Sequence, residues 1–346
     1  MSRRALFARV AIGFGISGVS IVLTVSRINA LGVAAALATA IPQLLVLAVI
    51  VVFADLLIRS VRWRFLIRGI APSTAPSPLI VVGAYLTVGY LANNLLPARL
   101  GDLIRAYLAS VAFRTGRLAA LGTVMVERVL DGTAMLMLAL ASGVALGGPR
   151  DLSDLIRLGL AVALVASIGL GVTILLARAT VGRRGLGATV RGVASRLYAG
   201  TIAIRNPGGF AISVATTACA AGTATLVAMI STGATGISLT PLEAVLLASG
   251  LALSLAIPAA PGSWGTYELA GVTILSGLGF DADRALAAIL VMRVVSTLPP
   301  GLLGAVSVFA LNLRPTFVRG LLAFMSSKQG VVVDADDLVS AAPSTR

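Results

Sequence analysis

Long apolar runs leave this chain few folds to choose from. A helix needs about 20 mostly apolar residues to cross a bilayer, and six stretches satisfy that: 6–25, 38–58, 118–146, 157–177, 209–233 and 284–312. Two more, 79–110 and 241–278, are just as apolar but carry Pro and Gly near their middles. Hydrophobic residues make up 58% of the chain and charged residues only 12%, too few to cover a water-facing surface. Lipid offers no hydrogen-bond partners, so a spanning segment must satisfy its own backbone, and a single run does so only as a helix. The expected class is an all-α polytopic membrane protein.

The arginines then thread the helices. A net charge of +14 would suggest nucleic acid for a soluble chain. Here the arginines gather in short connections, as in cytoplasmic loops, and no nucleic-acid partner is expected. Arg3, Arg4 and Arg9 hold the start of the first span inside, its far loop carries only Arg27, and 38–58 returns to Arg59, Arg62, Arg64 and Arg68. If 79–110 dips into the membrane and comes back to the same face, Arg114 and Arg117 stay inside. The weakly charged connection from Gly147 to Asp154 then falls outside. Span 157–177 leads back to Arg178, Arg183, Arg184, Arg191, Arg196 and Arg205, a basic stretch expected to lie on the cytoplasmic face as an amphipathic helix. Segment 241–278 dips from the outside, and 284–312 returns to Arg314, Arg319 and Lys328. Six spanning helices and two re-entrant helical hairpins from opposite faces make an inverted repeat, with copies at about 38–146 and 209–312 inside one domain over 1–320. Residues 326–346 are small, polar and acidic, and are expected to form a disordered cytoplasmic tail. Both termini are assigned to the cytoplasm and the chain to the cell (inner) membrane.

Several chemistries are excluded. Histidine is absent and Cys219 is the one cysteine, which rules out Cys/His metal sites and a disulfide framework. No metal, cofactor or catalytic residue is expected. Cys219, among small residues, reads as packing. Ser2-Arg3-Arg4 resembles an export signal, but the many following spans make it the inside anchor of a first helix. Gly13-Phe14-Gly15-Ile16-Ser17-Gly18 fits a dinucleotide-binding glycine pattern, yet no strand precedes it, so helix packing explains the small residues.

The two interrupted stretches break at similar sequences, Pro97-Ala98-Arg99-Leu100-Gly101-Asp102 and Pro258-Ala259-Ala260-Pro261-Gly262-Ser263. Each is followed, on the next long run, by an arginine in a similar frame: Val126-Glu127-Arg128-Val129 and Val291-Met292-Arg293-Val294. Paired breaks of this kind point to a binding site near the bilayer midplane. Pro97, Gly101, Pro258, Pro261, Gly262 and Gly265 are the expected hinge positions.

Charges cluster around these breaks, where each costs at least about 2.5 kcal/mol to bury in lipid unless it meets a partner or a wet cavity. The expected substrate contacts are Asn93, Asn94, Arg99, Asp102, Arg105, Glu127, Arg128, Asp131, Glu268 and Arg293. Glu127 and Asp131 are four residues apart on one helix face and repel unless a cation or a proton lies between them. Arg99 or Arg105 is the expected cation in a static ion-pair network, and proton coupling is the alternative. Gly101-Asp102 and Gly262-Ser263 would each open a half-helix whose free N–H groups favour an anion such as phosphate, with Asp102 and Ser263 as N-caps. Asn93 and Asn94 are placed either to donate to a headgroup or to satisfy carbonyls freed by the break. Asp55 and Arg59 read as an interfacial ion pair, Trp63 and Trp264 as interface or packing residues, and Pro299-Pro300 as a kink in the last span.

Three segments carry a family resemblance: Asn93 through Tyr107, Glu127-Arg128-Val129-Leu130-Asp131, and Pro258 through Glu268. Together they resemble the signatures of the lysylphosphatidylglycerol synthase transmembrane-region family, also called flippase-like domain proteins, and the likeness runs from about residue 5 to 320. In the multiple peptide resistance factors this domain moves an aminoacylated phospholipid across the membrane, while a separate soluble domain makes it. The resemblance implies the stand-alone form, acting on a lipid with a polar headgroup that carries phosphate or an aminoacyl group. Asp102 departs from the family's usual Glu. The expected function is translocation of a membrane lipid, with the headgroup in a polar cavity between the two dips and the acyl chains in the bilayer. Two alternatives stay open: a membrane-embedded transferase with Glu127 or Asp131 as base, and a non-transporting assembly partner in a lipid or envelope pathway. Homo-oligomerisation is also left open.

Overall fold

A computed structural model describes residues 3–26, 28–71, 77–96, 100–147, 188–257, 259–311 and 313. The predicted span at 157–177, the tail at 326–346, and Pro97, Arg99 and Pro258 lie outside the described residues. Among the described residues eleven α-helices follow one another: α1 Arg3–Val25, α2 Ala30–Ala38, α3 Pro42–Arg68, α4 Leu79–Leu95, α5 Leu100–Ala112, α6 Arg117–Ala145, α7 Ala188–Ala199, α8 Pro207–Ala234, α9 Pro241–Ser254, α10 Thr266–Gly277 and α11 Ala282–Ala310.

Among the described residues, helices α3, α8 and α11 are long and apolar enough to cross a membrane, and Gly13–Val25 of α1 with α2 would make a fourth span bent by 83°. Helix α6 equals α11 in length at 29 residues, but Arg117, Glu127, Arg128 and Asp131 interrupt its apolar character. The outer faces of the long helices are apolar and uncovered, with Val46, Ile50, Phe53 and Leu57 on α3 and Leu298, Leu302, Val306 and Phe309 on α11. Lipid is the solvent such faces need.

Neither interrupted stretch is a continuous rod. Helix α4 has 17 residues and α5 has 13; α9 has 14 and α10 has 12. Each falls short of the roughly 20 residues a full crossing needs. The first break follows from proline chemistry: Leu96, just before Pro97, is pushed to an extended conformation at φ −107° and ψ 145°, and the helix stops there. At the second, the backbone turns left-handed inside and just after a 3-10 turn at Pro261–Ser263, with Gly262 at φ 70°, Ser263 at φ 55° and Gly265 at φ 88°, a region that glycine adopts without strain. Helix α5 lies so close to α4 that a Cβ at Gly101 would collide with the carbonyl oxygen of Gly89.

The helix contacts come in matching pairs. Helix α3 packs along α8; α4 packs on α11, and its counterpart α9 packs on α6. Within each half the arrangement recurs, α4 on α5 and α5 on α6, then α9 on α10 and α10 on α11. Helices α1 and α2 stand outside the pairing, resting on α10 and α11. One buried apolar cluster is built around Leu247, Leu251, Leu275 and Ile289 in the later half, and a second around Trp63, Val82, Leu86 and Phe113 in the earlier half.

Three expectations change. Helix α3 runs on to Arg68, so Arg59, Arg62, Arg64 and Arg68 belong to a helix and not to a loop. The short helix α2 has no forerunner in the sequence reading. Cys219 is exposed on the outside of α8 and does not pack. Of the basic stretch, residues 188–199 form a helix, α7, and Leu197 at its end, with the adjoining Gly200, meets Gly122 of α6; Arg178, Arg183 and Arg184 lie outside the described residues.

Candidate functional site

Helices α3, α5 and α6 bring eight charged side chains into one alternating chain. It starts at Asp55, whose Oδ2 accepts from Arg59 Nε at 2.7 Å, and Arg59 Nη1 donates onward to Asp131 Oδ2 at 3.2 Å. Arg62 grips both oxygens of Asp131, at 2.6 and 3.0 Å, and reaches Glu127 at 3.3 Å. Arg105 Nη1 pairs with the other oxygen of Glu127 at 2.8 Å, and its Nε lies 3.3 Å from Asp102. Asp102 then takes Arg128 in a two-pronged contact at 2.7 and 3.0 Å. Among the described residues four arginines balance four carboxylates, the condition for holding ions in a low-dielectric interior. Flanking groups close the network: Thr217 accepts from Arg62 at 2.8 Å, Thr223 donates to Asp55 at 2.8 Å, and Arg105 lies over the indole of Trp63 at 4.9 Å.

Arg293 organises the second break in a different way. It pairs with Glu268, and its two terminal nitrogens donate to the backbone carbonyls of Gly262 at 2.7 Å and Ser263 at 3.2 Å. Its guanidinium lies 4.5 Å from the ring centres of both Trp264 and Tyr267. Glu268 also accepts the N–H of Gly265 at 2.7 Å, which settles the first turn of α10.

Between the two breaks lies a cavity of about 580 Å³, in the range of small-molecule sites. Its polar wall carries Asp55, Arg59, Asn94, Arg128, Asp131 and Arg293; Val52, Val227 and Leu251 are part of the apolar wall. The breaks come close to each other there, since a Cβ at Gly262 would lie 3.5 Å from the carbonyl oxygen of Asn94. Pro299 and Pro300 sit inside α11 and remove two N–H donors from the turn where Ser296, Thr297 and Pro300 face the cavity.

Of the expected contacts, Asn93, Asn94, Arg128, Asp131 and Arg293 share this wall. Glu127 and Arg105 do not reach it; both are only 2% exposed and sit behind it, with Asp102 beside them. Glu268 lies under Arg293. Asp102 is not an N-cap: α5 begins two residues earlier, and the carboxylate serves Arg128. Ser263 is no N-cap either, because α10 starts only at Thr266. Asn93 satisfies an amide and not a carbonyl, its Oδ1 accepting the N–H of Gly101 at 2.9 Å. The cation between Glu127 and Asp131 is Arg62, where Arg99 or Arg105 was expected.

Arg62, Arg59 and Asp55 are the residues the sequence reading undervalued. Their spacing of four and then three residues marks one helix face. Four arginines within ten residues looked like a loop instead.

The family model described as lysylphosphatidylglycerol synthase TM region matches residues 10–304. Among curated proteins, none matches this chain.

Proposed function

The chain belongs to the lysylphosphatidylglycerol synthase transmembrane-region family, and from that membership we propose that it translocates a lipid with a phosphate-containing or aminoacylated headgroup across the membrane. It is a multi-pass membrane protein of a family tied to membrane lipids. The observation that carries the proposal is the cavity at the meeting point of the two breaks. Arg128 presents its guanidinium edge there: Nε and Nη2 are held by Asp102, while Nη1 makes no hydrogen bond among the described residues. A guanidinium with an open edge in a partly apolar chamber suits a phosphate oxygen. Asp55 and Asp131 on the same wall suit an ammonium group.

In this proposal α4–α5 and α9–α10 are re-entrant hairpins entering from opposite faces, and six spans form an inverted repeat. The exchange of partners, α4 on α11 and α9 on α6, supports that arrangement. One half rocking against the other would expose the cavity to each leaflet in turn. The protein is a translocator and not an enzyme, sits in the inner membrane, and keeps both termini in the cytoplasm.

Purified protein in liposomes with labelled anionic, aminoacyl and polyprenyl lipids tests the proposal. Leaflet exchange of at least one of them is expected to exceed the protein-free rate and to fall when Arg128→Gln is introduced. Exchange at the protein-free rate for every lipid would refute it.

A further inference from the structure

At the first break Asn93 accepts the N–H of Gly101 on the same hairpin. The second break is held from outside by α1. Ser17 Oγ accepts the N–H of Ala260 at 2.8 Å. A Cβ at Gly13 would come within 2.9 Å of the carbonyl oxygen of Ala259, and a Cβ at Gly265 within 2.6 Å of the carbonyl oxygen of Ser17. Gly13, Ser17, Ser20 and Thr24 recur at helical spacing on one buried face of α1, and the three serine and threonine side chains are at most 5% exposed. Gly15 and Gly18, on the other face, look into open space.

We propose that α1 is a clamp on the second break and that Ser17 is a positioning residue, acting through residues 259–265 on Arg293. The link is short: the backbone fixed by Ser17 at Ala260 continues directly into Gly262 and Ser263, whose carbonyls hold the Arg293 guanidinium at the cavity wall. Without the Ser17 hydroxyl the N–H of Ala260 loses its acceptor, and the loop that aims Arg293 gains an alternative, undocked position. The part of the proposal that concerns transport rests on the translocation reading above; the clamp itself does not.

The two tryptophans supply a test that separates these parts. Trp63 is 0% exposed and Trp264, in the clamped segment, is 51% exposed, so quenching by acrylamide and by brominated lipid reads Trp264. In the full chain, Ser17→Val is expected to raise Trp264 quenching through a roughly fivefold shift toward the undocked loop, the size of one lost hydrogen bond. Lipid exchange in liposomes falls with it. Ser17→Thr, which keeps the hydroxyl, restores both. Gly13→Ala, adding one methyl against Ala259, moves both readouts as Ser17→Val does, and Gly15→Ala moves neither. Unchanged Trp264 quenching in Ser17→Val and Gly13→Ala would overturn the clamp. Altered quenching with full exchange activity would overturn the positioning role. Altered quenching in a protein whose wild type exchanges no lipid would keep the clamp and sink translocation.

Discussion

Removing Arg62 tests whether the eight charges form one alternating chain. Arg62 is 2% exposed and bridges Asp131 to Glu127. Arg62→Met keeps the apolar stem and deletes the charge, leaving three arginines against four carboxylates. Breaking a buried pair by removing one partner costs about 3–5 kcal/mol. Because the Asp131 side chain is 19% exposed, solvent screens part of the loss, and the lower end of about 3 kcal/mol is expected. The order of the chain then dictates which second substitution rescues it. Adding Asp131→Asn removes the central pair and leaves two balanced pieces, Asp55 with Arg59, and Glu127 with Arg105, Asp102 and Arg128. Adding Glu127→Gln leaves two unbalanced pieces, one with an excess carboxylate and one with an excess arginine. Equilibrium unfolding in mixed detergent micelles should therefore show recovery of about 1–3 kcal/mol with Asp131→Asn. Clearly less should return with Glu127→Gln. Equal rescue by the two, or a single-substitution loss below about 1 kcal/mol, would refute the alternating order.

Other substitutions probe the packing and the cavity. Gly101→Ala drives a methyl into the carbonyl of Gly89 and should cost about 1–3 kcal/mol in the same unfolding assay, as α5 is forced off α4. Gly132 lines the cavity with nothing within 4 Å of where its Cβ would be. Gly132→Leu should keep stability within roughly 1 kcal/mol, since its Cβ meets no atom and the remainder extends from the cavity lining, while lipid exchange in liposomes drops. Arg293→Lys retains the charge but loses the planar fork that reaches two carbonyls at once. A loss of about 1.5–3 kcal/mol is expected, with higher Trp264 quenching.

The breaks were legible because their causes are local. Pro97 disrupts α4 by its own ring, and the Gly-rich run at Gly262–Gly265 permits left-handed backbone, so both interruptions can be read from a few adjacent letters. That Arg128 and Arg293 stand well inside long helices was legible too, since an apolar run marks the helix and helical rise converts position into distance along it. The pairings were not. Arg62 meets Asp131 across 69 residues and Thr217 across 155, and no periodicity encodes such a contact. Charge bias worked against the reading as well, because a cluster of arginines signals a cytoplasmic loop when exposed and a buried network when carboxylates arrive from another helix. Asp102 shows the same limit: a carboxylate in a first turn favours capping locally, and only the tertiary structure reveals Arg128 as its partner.

The alternating charges also constrain how the protein is made. Arg62 leaves the ribosome well before Glu127 and Asp131 exist, and Asp55 on its own helix is already taken by Arg59, so α3 cannot be released alone into acyl chains without stranding a cation. It has to wait, shielded at the insertion machinery or held near the headgroups, until α6 delivers Glu127 and Asp131. Truncated nascent chains ending before residue 127 should accordingly stay associated with the insertion apparatus, and longer ones should let go.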